Sequence, residues 1–172
     1  TGSGKSTLIN LIPRFYDVDS GAVLVDGVDV RNMTQHDLRA KIGFVPQTPI
    51  IFGGTITDNI RYGKADATDN EILHAAEVAQ ASEFIAAMDN GYNAEISQGG
   101  TNLSGGQKQR LSIARALVRK PEIYILDDSF SALDFKTDAR LRSALSQETK
   151  NSTVLIVAQR VSTVMNADQI IV

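Results

Sequence analysis

Ile123-Tyr124-Ile125-Leu126-Asp127-Asp128 is a near-continuous apolar run that stops on two carboxylates. A strand with no polar alternation is buried on both faces, which belongs to parallel sheets covered by helices. Glu122–Leu126 therefore reads as a strand of a parallel sheet. Working outward, Thr153–Val157 repeats the pattern, and a helical stretch from about Thr137 to Gln147 joins the two. Upstream, Ile42–Val45 is a third buried strand, preceded by a helix from about Gln35 to Lys41 and ended by Pro46. Ala22–Val25 and Val28–Val30, separated by Asp26-Gly27, predict a hairpin. Strands alternating with helices make the fold class α/β with a mostly parallel sheet.

The section from about Thr48 to Lys120 has a different texture. It reads as mostly helical, with no convincing strand. Thr68 and Glu71 form a capping box ahead of Ile72, Leu73, Ala76 and Val78. Gly91 to Gly100 reads as loop. A long helix is expected from about Ser104 to Arg119, with Leu111, Ala114, Leu117 and Val118 on its apolar side and Pro121 closing it. Residues 48–120 thus read as a helical subdomain inserted in an α/β core made of 1–47 and 121–172.

Composition excludes several function classes. With 172 residues, 42% hydrophobic, the chain can bury one substantial core. A net charge of −3 argues against a nucleic-acid footprint, and zero cysteines remove disulfides and thiolate metal sites. No apolar run approaches the roughly 20 residues needed to span a bilayer. The chain starts inside a motif and stops on Gln169-Ile170-Ile171-Val172, so a longer protein is expected around it. His36 and His74 lie in helical stretches with no second ligand nearby in sequence, and read as solvated or capping residues. Asp17, Asp19 and Asp26 read as turn residues.

Thr1-Gly2-Ser3-Gly4-Lys5-Ser6-Thr7 reads as the second half of a P-loop. In such a loop successive backbone N–H groups turn toward phosphates, the lysine reaches the β- and γ-phosphates, and the hydroxyl of Ser6 meets Mg²⁺. A helix from about Lys5 to Ile12 adds its positive end. Downstream, an apolar strand ending in Asp127 supplies the carboxylate that holds the metal through water. In Leu103-Ser104-Gly105-Gly106-Gln107, two glycines behind a serine at a helix N-terminus present N–H donors and a small hydroxyl suited to a γ-phosphate.

With these motifs in this order, the chain resembles the nucleotide-binding domain of ATP-binding cassette (ABC) proteins over essentially its full length. The resemblance adds a Q-loop glutamine, Gln47, in Phe44-Val45-Pro46-Gln47, and a D-loop at Ser131-Ala132-Leu133-Asp134. Ile51-Phe52-Gly53-Gly54-Thr55-Ile56 through Asn59-Ile60-Arg61-Tyr62-Gly63 resembles the segment that exporters place against their membrane domains. A coiled coil between Gln47 and Leu103, as in non-transport clamp ATPases of the family, is lacking. The resemblance implies ATP and Mg²⁺ as ligands. Two domains close head to tail, each ATP lying between the P-loop of one chain and the signature motif of the other. It also implies membrane domains fused upstream and a place on the cytoplasmic face of the membrane. Implied cofactor contacts are Thr1 through Thr7, Gln47, Ser104, Gly105, Gly106 and Gln107; implied metal ligands are Ser6, Gln47 and Asp127. Phe15 and Tyr16 are expected at the core edge, since the family's adenine-stacking aromatic lies upstream of the P-loop.

The chain departs from the family at the catalytic positions. Asp128 stands where a catalytic Glu follows the metal-binding Asp, and Gln159, in Val157-Ala158-Gln159-Arg160, stands for the switch His. Asp is one methylene shorter than Glu, and a displacement near 1 Å costs on the order of a hundredfold in rate. Gln159 can hydrogen-bond a γ-phosphate but cannot carry a proton. With Gln47 these residues form the catalytic set, and both departures together predict a slow site beside an intact signature motif. That asymmetry resembles one half of a heterodimeric exporter; a homodimer with Asp128 as a slow base is the alternative. Gln98-Gly99-Gly100 also departs from the Glu-Arg-Gly usual in the exporter cross-talk loop.

Overall fold

A computed structural model of the chain describes residues 3–172. Helix α1 (Lys5–Asn10) is followed by the hairpin strands β1 (Leu24–Val25) and β2 (Val28–Asp29), helix α2 (Gln35–Ala40) and strand β3 (Ile42–Val45). Next come β4 (Gly54–Thr55), α3 (Ile56–Arg61), α4 (Asp69–Val78), α5 (Ser82–Ala86), β5 (Glu95–Ile96) and the long helix α6 (Gly105–Leu117). Strand β6 (Ile123–Asp127), helix α7 (Phe135–Glu148), strand β7 (Thr153–Val157) and the short α8 (Val161–Val164) complete the order.

β3, β6 and β7 form a parallel sheet with β6 in the middle, in the register Val45 to Leu126 and Asp127 to Val157. Side chains on β6 alternate between two cores, as the pleat requires. Ile125 packs with Ile9, Val25, Val30, Leu38 and Ile42 on one face. Tyr124 and Leu126 join the helical section on the other, with Ile56, Ile60, Ile72, Leu111 and Ile113. A fully buried aliphatic side chain of this kind contributes about 1.5–3 kcal/mol, which explains the apolar run. Both faces of β6 are thus covered, as its sequence predicts.

Three expectations change. β7 forms one edge of this sheet among the described residues, and its Val154 is 37% exposed rather than buried. The helical section does contain strands: β4 and β5 pair antiparallel, Gly54 opposite Ile96. Two residues are too short to show a period, and Thr55 doubles as the N-cap of α3. The supposed loop Gly91–Gly100 accordingly holds β5 between two 3-10 turns. Tyr16 is 62% exposed and does not pack at the core edge, whereas Phe15 meets Phe44 edge-on at 5.3 Å.

The hairpin forms as read, because Asp26 and Gly27 adopt the positive φ of 51° and 78° that a two-residue turn needs. Capping sets the helix starts. Thr68 with Glu71 and Ser104 with Gln107 each make a reciprocal capping box, and Asp134 accepts from the N–H groups of Lys136 and Thr137 to start α7. Helix α7 therefore begins two residues before the predicted start. Gly63, just after α3, allows close approach to α6, since a Cβ there would overlap the carbonyl oxygen of Arg115.

Candidate functional site

The C-terminal ends of β6 and β3, the start of α1 and the segment after β7 converge on one polar cluster. Gly4 caps α1 with a left-handed backbone at φ 82°, and the space beside its Cα is open. The Ser6 hydroxyl donates to Asp127 Oδ1 at 3.0 Å. A hydroxyl and a carboxylate oxygen meeting at the end of a buried strand suit Mg²⁺, which takes few protein oxygens and keeps several waters. Lys5 donates to the Ser3 hydroxyl at 2.8 Å and remains exposed, so its ammonium can reach a phosphate. Thr7 is exposed on the same turn. Thr1 and Gly2 lie outside the described residues.

Asp128 is buried, with its backbone in the left-handed region at φ 46°. Three bonds hold that turn: its N–H donates to Val157 O at 2.9 Å, and its carbonyl accepts from Ser131 Oγ at 2.9 Å and Ser131 N at 3.3 Å. Two amides converge on one oxygen of its carboxylate. Gln159 Nε2 donates to Oδ2 at 2.9 Å and Gln47 Nε2 to the same atom at 3.4 Å. Gln47 therefore sits on Asp128 rather than on Ser6 or Asp127, and its carbonyl oxygen is the atom it has left for a cation. Beneath the pair, fully buried Ser129 donates to the carbonyls of Val45 and Asp127, each at 3.3 Å, tying the Q-loop stem to β6. Earlier on β6, in the core under the helical section, burial pushes the Tyr124 phenol up to about 12, so it stays neutral.

Ser104, Gly105 and Gly106 sit at the N-terminus of α6, away from this cluster: no hydrogen bond joins the two sets among the described residues. Ser104 Oγ accepts from Gln107 N at 3.3 Å, and Gln107 Oε1 accepts from Ser104 N at 2.8 Å. The hydroxyl thus spends its lone pair on the cap and keeps its proton to donate outward. Gln107 acts here by holding the serine. Gly106 is pressed against the D-loop, 3.1 Å from Ala132 O to a Cβ built on it.

The sequence matches, over residues 1–131, the model of the family described as ABC transporter. The chain belongs to the ABC transporter family. It is 53% identical over 171 residues to "Uncharacterized ABC transporter ATP-binding protein YfiB" of Bacillus subtilis, covering 99% of this chain and 30% of that protein. It is 49% identical over 172 residues to a "Putative multidrug export ATP-binding/permease protein" of Staphylococcus aureus, again covering 30% of it. A solved bacterial Atm1-family ABC exporter with ATP bound superposes with a TM-score of 0.95 at 42% identity, covering 98% of this chain and 30% of that one. The chain spans about a third of the length of these relatives, and is an ABC ATP-binding domain of exporter type.

The two histidines of the ABC domain each lie beside a carboxylate. The His36 side chain is 92% exposed beside Asp37, and His74 pairs with Glu148 at 2.9 Å. No cluster of three or more His, Cys, Asp or Glu able to hold a metal occurs among the described residues, and no helix there is long and apolar enough to cross a membrane. In the cross-talk loop Gly99 and Gly100 both have positive φ, and Gly99 N donates to Ile51 O at 3.1 Å. An Arg in place of Gly99 would be strained there, which gives that departure a backbone reason. Sequence reasoning missed Arg115, whose guanidinium donates to Ile50 O, Asn59 O and Asn59 Oδ1. The available signal was a charged residue beside the buried stripe of α6.

Proposed function

We propose that this chain is the ATP-hydrolysing motor domain of a heterodimeric ABC exporter whose own P-loop site is slow and whose signature motif completes the partner's site. Lys5, Gly4, Ser6, Thr7 and, upstream, Thr1, Gly2 and Ser3 would hold the phosphates; Ser6, Asp127 and the Gln47 carbonyl would hold Mg²⁺. When bound, the ion neutralises charge on the β- and γ-phosphates. Ser104, Gly105 and Gly106 would present their donors to the γ-phosphate on a second, different chain. Membrane domains on the same longer chain would place this domain on the cytoplasmic face, and the multidrug export relative supports an efflux role.

The observation that carries this reading is the pair of amides on Asp128 Oδ2. A general base must offer its oxygen to the proton it takes. Here two N–H donors occupy one of the two carboxylate oxygens, and the Gln159 amide cannot take up or pass on a proton as an imidazole does. In the complete transporter with its partner subunit, Ser104→Arg is expected to stop ATP turnover, whereas Asp128→Asn barely changes it. Equal effects of the two substitutions would refute the asymmetric reading.

A homodimer is supported by one observation: Asp128 Oδ1 accepts no hydrogen bond among the described residues, so this carboxylate retains an oxygen for water. Both sites would then turn over alike, and this subunit without a different partner would hydrolyse ATP.

A further inference from the structure

Helix α6, which opens on the signature motif, carries a half-buried cation in its second turn. Arg110 Nε donates to Gly106 O at 3.2 Å. Two further contacts fix the guanidinium there. Its Nη1 donates at 2.8 Å to Gln80 O, in the turn between α4 and α5 where Gln80 has a left-handed backbone at φ 57°. Its central carbon lies 4.8 Å from the ring centre of Phe84 on α5. Burial draws the Arg110 pKa below the ordinary arginine value, with the charges of Asp134 and Glu83 opposing. The guanidinium stays charged, and both hydrogen bonds it makes end on neutral carbonyl oxygens.

Gly106 O and Gln107 N–H are the two ends of one planar peptide unit. That N–H donates to Ser104 Oγ at 3.3 Å. A single rigid unit therefore links the Arg110 guanidinium to the signature serine. A cation on the carbonyl polarises the amide and makes its N–H a better donor, and a hydroxyl that accepts a stronger bond is itself a stronger donor. Such cooperative strengthening amounts to about 10–30% per bond. Ser104 is exposed at the head of α6, and its backbone N–H is taken by Gln107 Oε1 at 2.8 Å, so the hydroxyl proton is what the serine offers outward. The Gln80 bond and the Phe84 stack tie α6 to its neighbours, whereas the Gly106 bond lies within one helix and adds no such tie. We propose that Arg110 is a positioning residue for ATP hydrolysis: through the Gly106–Gln107 peptide it orients and polarises the Ser104 hydroxyl toward the γ-phosphate, without touching nucleotide. This inference rests on the two-chain reading above, in which that phosphate is held by the partner's P-loop.

The test is a double-mutant cycle on steady-state ATP turnover in the complete transporter with both subunits. Ser104→Ala removes the donor and is expected to lower turnover on the order of a hundredfold. Arg110→Met keeps the stem and removes the guanidinium, and turnover is expected to fall about three- to tenfold, since the donor is weakened and not lost. In the Ser104→Ala background the same change should lower turnover by less than about twofold, because the group it acts through is gone. Arg110→Lys keeps the charge and one carbonyl bond, should show the same dependence on Ser104 at smaller size, and carries the test where Arg110→Met fails to assemble. Effects that multiply overturn the proposal, since a tie that only holds the fold acts whatever stands at 104. Unchanged turnover in Arg110→Met overturns it as well. Failure of the two-chain reading is distinguishable by amide hydrogen exchange of the nucleotide-free complex. If Ser104→Ala leaves turnover unchanged, that reading fails. Faster exchange at Gln107 in Arg110→Met, with the rest of α6 protected as in wild type, then still supports the positioning role, and unaltered exchange at Gln107 overturns it.

Discussion

Replacing Arg115 with Lys tests how the exporter-type segment is held. The guanidinium donates to Ile50 O at 2.7 Å, Asn59 O at 2.8 Å and Asn59 Oδ1 at 2.9 Å. It also lies over Phe52 and Tyr62, 4.9 and 5.8 Å from their ring centres. It therefore binds α6 to α3 and to the loop that follows the Q-loop, and it supports the exposed side chains of Ile50, Phe52 and Tyr62. Burial draws its pKa below the ordinary arginine value, as expected for a cation facing only neutral carbonyl and amide oxygens.

A lysine at 115 reaches one of the three acceptors, so two charge-assisted bonds are lost. At about 1.5–3 kcal/mol each, with about 0.5–1 kcal/mol for stacking, the gross loss is roughly 3.5–7 kcal/mol. Water can reach the carbonyl of Ile50, which is exposed, and contributions at one side chain are not additive, so a net loss of about 2–4 kcal/mol is expected. For a domain of this size that corresponds to a fall in melting temperature of roughly 4–16 °C. Calorimetry of the ATP-binding domain in the purified transporter, with Arg119→Lys as the surface control, measures it. A fall no larger than that of the control would refute the three-acceptor account.

Two further outcomes follow from the same kind of geometry. Lys64 foremost, then the Thr68 N–H, hold the Glu71 carboxyl at about 2 against an ordinary 4.5, so its contribution is present above the unfolded value and is lost as pH falls through about 2. Denaturant midpoints at about pH 6 and about pH 3 should therefore fall less with acid in Glu71→Gln than in wild type, and parallel curves would contradict this. Asp128→Glu places a poorer left-handed residue at φ 46°; Asp is favoured there several-fold, about 1 kcal/mol at most, so melting should drop by roughly 2–4 °C. ATP turnover of the complex should stay within about twofold, because Gln159 still offers no proton, and a tenfold gain in this single variant would contradict the proposed division of labour.

Where a residue's own chemistry decides its place, the sequence was sufficient to read it. The apolar run of β6, the Asp26-Gly27 turn and the capping boxes at Thr68 and Ser104 act within a few residues of themselves. Features that depend on pairing across the chain escaped. β4 and β5 exist because Gly54 finds Ile96, at a separation no local period reveals. Half-exposure of β7 follows from its place at the sheet edge, which an apolar run does not encode. The left-handed turn at Asp128 was equally invisible, since it is set by the bonds that Ser131 donates to its carbonyl and that its own N–H donates to Val157 O. In the site, the motif residues were all legible by type. That Gln47 and Gln159 would meet at one oxygen was not.

That meeting changes how the two departures from the family should be weighed. Read along the chain, Asp128 and Gln159 are separate losses, a shortened base and an amide in place of an imidazole. In the structure they are the two ends of one hydrogen bond of 2.9 Å. An imidazole titrates near neutral pH and can present either a donor or an acceptor, so a His in that position can release the carboxylate or pass a proton. The Gln159 amide nitrogen has no charge to lose and always donates, while a carboxylate always accepts until it is protonated. The donor and acceptor of this bond therefore keep fixed roles, and it keeps Asp128 Oδ2 occupied. Restoring Glu at 128 alone leaves an amide that only donates, and restoring His at 159 alone leaves the shorter carboxylate, so under the proposed reading a fast site requires Glu at 128 and His at 159 together.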